Sequence, residues 1–384
     1  MRRSFVVENA TVVTPDTVLE HASVRVEEGR ISEVRAGPVA NGAMRIDGSG
    51  KLLLPGFIDL HGDAIEKEIE PRPRTLFPID YAIHELDKRL AACGVTTTYH
   101  SISFADGEIG TRSNELASRI VSEVAARAPH LKVRTRVHAR FEITDRSAVP
   151  VLAERIDRGE VGLLSFMDHT PGQGQFQEVT SFKAYYGTVY GKSDAELDGI
   201  IESKVRSQAE SAPESVRTLL AHARGRGLAL ASHDVDSAEK VTWLEEQGIG
   251  ITEFPVNMDT VRAATVAGIH VMLGAPNVFR GRSQAGNLSA REAIAGGHGD
   301  ILCSDYAPQA MLHAVLLLAR LGLLPLHEAA KLVSLQPARA VGLDARTGSI
   351  EPGKDADLVL VDPGDELPHV LRTFVAGREV FATS

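Results

Sequence analysis

Apolar and polar positions follow two different textures along this 384-residue chain. At both ends the pattern is short and strand-like. Phe5 to Val13, Ser23 to Glu28 and Arg30 to Val34 alternate or run apolar, punctuated by Gly29, Gly37-Pro38, Asn41-Gly42 and Gly48. Ala356 to Asp362 reads as a further strand, and Thr373 to Phe381 as a hairpin turning at Ala376-Gly377. Neither end is large enough to bury a core alone. The pattern therefore predicts that residues 1–53 and 345–384 combine into one small β-sandwich domain.

Between the ends, over residues 54–344, apolar runs alternate with helix-periodic segments. Strands are predicted at 55–61, 94–101, 132–142, 161–168, 228–233, 249–254, 269–275 and 300–305. Helices are predicted between them, among them Asp80 to Ala92, Ser113 to Ala128, Ser237 to Gln247 and Pro308 to Leu321. Eight such repeats imply an α/β fold, a distorted (β/α)8 TIM barrel. A doubly wound sheet is the competing fold, but no glycine-rich phosphate fingerprint follows the first strand.

Composition narrows the function classes. At 43% hydrophobic and 24% charged, the chain is that of an ordinary globular protein. No stretch approaches the roughly 18 apolar residues that span a membrane, and the basic N-terminus lacks a signal-peptide apolar core. Cys93 and Cys303 sit in apolar contexts and read as reduced core residues, so a cytoplasmic location is expected. A formal net charge of −10 argues against a nucleic-acid partner. An anionic small substrate needs only a local basic cluster. A homo-oligomer is left open.

In a barrel, polar residues at strand C-termini gather at one mouth. Those ends carry His61 and Asp63, His100, Glu142, Asp168-His169, His233-Asp234 and Asp305. His61 and Asp63 are two apart, which on a strand places them on one face. Histidine and carboxylate suit one or two Zn²⁺, Mn²⁺ or Fe²⁺ ions, zinc foremost, with His61, Asp63, Glu142, His169, His233 and Asp305 as candidate ligands. A lone strand-end histidine is often purely structural, and Glu142, alternating with Arg140 and His138, is equally readable as a barrel-lining ion-paired group. Asp305, ending the last strand, is placed to steer the proton of a metal-activated water, or else to cap the next helix. His84, His222, His313 and His327 fall in helical segments and read as packing or surface residues.

Basic and glycine-rich segments supply the substrate side. Gly274 to Asn287 reads as a loop leading to a helix start near Ser289, with Asn277, Arg280, Arg282 and Asn287 as a phosphate cradle. A weaker basic run, Lys67 through Arg72 and Arg74, follows the first strand.

The entry Pro55-Gly56-Phe57-Ile58-Asp59-Leu60-His61 and the exit Gly348 to Leu358 resemble the amidohydrolase superfamily, with Asp63 where its members usually have a second histidine. His61 to Lys67, Met167 to Phe176, Ser232-His233-Asp234, the Gly274–Asn287 segment and Ser304-Asp305-Tyr306 are similar to its phosphonate-metabolism branch, called PhnM. This resemblance implies a hydrolase of α-D-ribose 1-methylphosphonate 5-triphosphate in the carbon–phosphorus lyase route, releasing pyrophosphate. It also implies that Glu142 stands in for the superfamily's bridging carboxylated lysine, in preference to Lys183. The competing functions are an amide, cyclic-imide or nucleobase hydrolase on the same scaffold, and a non-catalytic subunit of the phosphonate machinery.

Overall fold

A computed structural model gives the three-dimensional structure, describing residues 4–39, 44–72, 75–106, 113–174, 178–180, 182–183, 187, 193–283, 286–364 and 367–383. The N-terminal strands are β1 (Phe5–Val13), β2 (Val18–Glu27), β3 (Arg30–Ala36), β4 (Met44–Asp47) and β5 (Leu52–Pro55). The central strands are β6 (Phe57–Gly62), β7 (Val95–Phe104), β8 (Arg134–Glu142), β9 (Leu163–Met167), β10 (Ala229–His233), β11 (Ile251–Glu253), β12 (His270–Gly274) and β13 (Ile301–Cys303). Three more, β14 (Leu358–Asp362), β15 (His369–Val375) and β16 (Arg378–Ala382), end the chain.

The eight central strands pair in parallel and in sequence order from β6 to β13. The ring closes where Gly62 bridges Asp305. There the Asp305 amide donates to the His61 carbonyl (2.9 Å), and the Asp63 amide to that of Asp305 (2.7 Å). All eight strands fall within the intervals predicted from the apolar runs, give or take a few residues. Strands such as β9 and β13, buried on both faces, read as nearly continuous apolar stretches. Helices occupy Ile79–Ala92, Asn114–Arg127, Ala238–Glu246 and Ala310–Arg320, close to the predicted spans. Ser113 and Ser237 cap two of them by accepting from the Leu116 and Lys240 amides.

The barrel strands pack outward on these helices through Phe57, Phe104, Phe141, Leu164 and Leu302. Inside, Ile58, Leu60, Tyr99, Leu163, Ile251, Met272 and Ile301 fill the barrel floor. The floor is solid, so chemistry is confined to the opposite mouth.

Strands from the two chain ends form a second eight-stranded sheet in the order β16-β15-β14-β5-β1-β2-β3, with β4 also on β1. Phe5, Val24, Ile31, Leu53, Leu358 and Phe374 form its own core. The β15–β16 hairpin turns at Ala376 and Gly377, both with positive φ (45° and 68°), as a tight primed turn requires. The exit motif has a structural role here. Asp355 and Asp357 accept from the two terminal nitrogens of Arg134 at the base of β8 (2.6 and 2.5 Å), pinning this sheet to the barrel.

Candidate metal centre and active site

His61 is buried near the end of β6, with Nε2 3.3 Å from Asp63 Oδ1. The two side chains meet as expected, but not as alternate residues of a regular strand. A register irregularity falls between Asp59 and Gly62, β6 stops at Gly62, and Asp63 already has helical backbone (φ −83°, ψ −5°). A Cβ at Gly62 would lie 2.9 Å from Asp59 Oδ2, so this close approach favours glycine. Asp59 passes beneath and accepts from the Ser304 amide (2.9 Å) and hydroxyl (2.6 Å), tying the first barrel strand to the last. Asp305 thereby reaches His61 and Asp63, and one donor atom from each of the three lies within 4.8 Å of the others.

A second group stands beside the first. His169, His233 and Asp234 bring donor atoms within 4.8 Å of one another. Glu142 Oε2 is 3.0 Å from His169 Nδ1, while Glu142 Oε1 accepts from the Thr144 hydroxyl (2.7 Å). His169 follows the fourth barrel strand and His233 ends the fifth. All six expected ligands thus come to the mouth, divided between two neighbouring groups. Arg140 stands between them, with Nη1 3.3 Å from Asp63 Oδ1 and Nη2 3.2 Å from His233 Nε2. Asp234 and Phe254, each the residue just past a barrel strand, and Asp305, two residues past the last one, take left-handed backbone at φ 52°, 50° and 53°. Such strain concentrates at functional sites.

The electrostatics match a cation site. Burial opposes charge on His61, yet the carboxylates of Glu253 and Asp63 overcome it and push its pKa up to about 10. Burial, reinforced by Asp63, raises Asp305 to about 7. Glu253 is held well below the usual carboxylate range by His138 and His61 despite its burial. His138 is pushed down to about 3 by burial. Both ring nitrogens of His61 and Asp234 Oδ2 are buried with no hydrogen-bond partner among the described residues. Imidazole and carboxylate donors, buried and surrounded by acidic groups, fit a divalent ion such as zinc.

A cavity of about 170 Å³ opens over the first group, bounded by His61, Asp63, Arg140, His233, Phe254, Asp305 and Tyr306 on the barrel side. Asn277, Arg280 and Asn287 line its other wall. The segment from Gly274 is not all loop. Ala275–Arg280 is helical, started by a proline in its first turn and stopped by Gly281 at φ 78°. Asn277 is committed to structure. Its amide donates to the Leu288 carbonyl (3.0 Å) and its Oδ1 accepts from the Ala290 amide (3.1 Å), so that helix-start donor does not serve a phosphate. Lys67 is exposed on helix Ala64–Ile69, and Arg282 is exposed too; neither lines the cavity. Arg74 of the basic run, Gln175 and Phe176 of the quoted motif, and residues 284–285 lie outside the described residues.

Other expectations resolve by position. His100 is buried on the far side of the sheet, since its neighbour Ser101 is the residue that reaches His138 (3.2 Å). Lys183 pairs with Asp198 (2.6 Å), away from the cluster. His84, His222, His313 and His327 lie on helices, His222 paired with Asp157. Sequence reasoning omitted Glu253, although a carboxylate ending the sixth predicted strand was open to the same strand-end reading.

Comparison with known proteins agrees with the fold. The amidohydrolase family model matches residues 168–380. The α-D-ribose 1-methylphosphonate 5-triphosphate diphosphatase of Escherichia coli (strain K12) is 33% identical over 98% of this chain and 100% of its own. A dihydroorotase of Pelotomaculum thermopropionicum is 26% identical over 94% of this chain and 89% of its own. Among solved structures, dihydropyrimidinase from Brevibacillus agri superposes with a TM-score of 0.64 at 14% identity, over 99% of this chain and 95% of its own. A Xaa-Pro dipeptidase with bound methionine reaches 0.66 at 12% identity, over 98% and 99%. The chain belongs to the amidohydrolase family.

Proposed function

We propose that this protein is a metal-dependent diphosphatase that hydrolyses α-D-ribose 1-methylphosphonate 5-triphosphate to the 5-phosphate and pyrophosphate. The observation that carries this reading is the joining, in one cavity, of the His61–Asp63–Asp305 group with the guanidinium groups of Arg140 and Arg280. A neutral cyclic amide needs no such cations, whereas a triphosphate does. The full-length similarity to the Escherichia coli diphosphatase supports the same substrate.

In this reading His61, Asp63 and Asp305 hold a divalent ion, zinc foremost, and His169, His233 and Glu142 are placed for a second. When bound, such an ion polarises a phosphoryl oxygen and lowers the pKa of water. Asp305 takes the proton of the attacking water on a side-chain oxygen. The water oxygen bonds to the α-phosphorus, and the bond from that phosphorus to the bridging oxygen breaks. The electron pair leaves with pyrophosphate. Arg140 and Arg280 offset the charge gathering on the phosphoryl oxygens, and Asn287 orients them.

The partner is a small anionic solute. Among the described residues no helix is long and apolar enough to cross a membrane. Cys93 and Cys303 are unpaired thiols, which supports a reducing, cytoplasmic setting.

Replacing His61 by Asn tests the site. The variant is expected to keep its circular dichroism spectrum while losing bound metal and turnover. Triphosphate hydrolysis at the native rate by His61→Asn protein would overturn the assignment.

A further inference from the structure

Glu253 closes β11 at 0% exposure, beneath the cavity and not in its wall. Its Oε2 faces the same nitrogen of two rings, 3.2 Å from His233 Nδ1 and 3.5 Å from His61 Nδ1. Those rings come from different strands and are nearly parallel, 17° between planes with centroids 5.7 Å apart. Their Nε2 atoms therefore point together toward the cavity. His61 Nε2 faces Asp63 (3.3 Å), and His233 Nε2 faces Arg140 Nη2 (3.2 Å). A guanidinium only donates, so His233 Nε2 is the acceptor in that contact. The His233 ring proton is then on Nδ1, toward Glu253. Two separate contacts require the same tautomer.

We infer that Glu253 is a positioning residue for the metal centre: a buried carboxylate that holds His233 as the Nδ1–H tautomer through a hydrogen bond and, facing His61 Nδ1 at ion-pair distance, favours the same tautomer there, so that both Nε2 lone pairs turn to the cavity. This rests on the reading of His61 and His233 as ligands. Metal-binding histidines commonly donate their other N–H to a carboxylate, and loss of that partner weakens metal binding about 10–100-fold. Here one oxygen serves two rings, which couples the first donor group to the second. Methionine, of similar length, carries no oxygen to accept either Nδ1–H, whereas glutamine keeps one acceptor oxygen for both.

Two measurements on the full chain test the inference. Zinc affinity, read by competition with a chromophoric chelator, is expected to fall about 10–100-fold in Glu253→Met relative to native protein. Long-range ¹⁵N–¹H spectra of zinc-loaded, histidine-labelled native protein are expected to show Nδ1 protonated on both His61 and His233. Native zinc affinity in Glu253→Met would overturn the inference, as would an Nε2–H tautomer on either ring. If the variant does not fold, the native spectrum decides alone. Native protein that binds no zinc overturns the metal reading itself; zinc-binding native protein with an unaffected variant overturns only the role of Glu253.

Discussion

Replacing Asp305 by Asn should move stability and activity in opposite directions. Asparagine keeps the shape of the side chain and tolerates the left-handed backbone that Asp305 adopts at φ 53°. It removes a charge that the fold disfavours. Burial, then the neighbouring Asp63 carboxylate, raise the folded pKa to about 7 from an ordinary value of 3.8. That is a shift of about 3 pH units, and at 1.36 kcal/mol per unit the ceiling is about 4 kcal/mol. Solvent screening of a side chain at the barrel mouth leaves on the order of 2–4 kcal/mol. The sign follows from linkage. An acid with a raised folded pKa contributes its full stability below about pH 4 and loses it as the pH rises to about 7. Metal-free native protein should therefore weaken relative to Asp305→Asn across that window, and the gap should stay constant above it. Calorimetric melting of chelator-treated proteins between pH 5 and 8.5 measures this. The variant should melt roughly 2–5 °C higher at pH 8, with a smaller gain at pH 5. With metal restored, turnover should fall at least about 100-fold through loss of the proton acceptor. A variant that melts lower than native at pH 8 would refute the claim of a disfavoured charge. Unchanged turnover would refute the proton role.

Arg280→Ala should raise KM for the triphosphate about 10–100-fold through loss of a charge-assisted phosphate contact, whereas Arg282→Ala, outside the cavity wall, should leave steady-state kinetics near native. Asp59→Ala strands the buried Ser304 amide and hydroxyl and should cost about 2–5 kcal/mol, read as a lowered melting temperature with loss of bound metal. Asn277→Ala removes both ends of the clamp on the segment before Ala290 and should cost about 1–2 kcal/mol, again read by melting.

The barrel was legible because its strands are buried on both faces. Runs such as Leu163–Met167 and Ile301–Cys303 carry no polar alternation to confuse with a surface strand. The candidate ligands were legible because a barrel puts strand C-termini at one mouth. What escaped depends on partners distant in sequence. Glu253 gains its meaning from His233, its register partner on the adjacent strand β10, and from His61 across the barrel. His100 and Ser101 are adjacent, and only the register with β8 shows which one faces inward. Asn277 resembled a phosphate contact by composition, but the fold spends both ends of its amide on Leu288 and Ala290. The glycines of the Gly274–Asn287 segment made it resemble a loop, although Pro276 is well suited to a helix's first turn.

Phosphorus NMR of the ribose triphosphate incubated with zinc-loaded protein tests the central claim most directly, with ATP run alongside. The account predicts a pyrophosphate resonance and a 5-phosphate product in equal amounts, both lost in His61→Asn protein. An unchanged triphosphate spectrum, or release of orthophosphate in place of pyrophosphate, would contradict it.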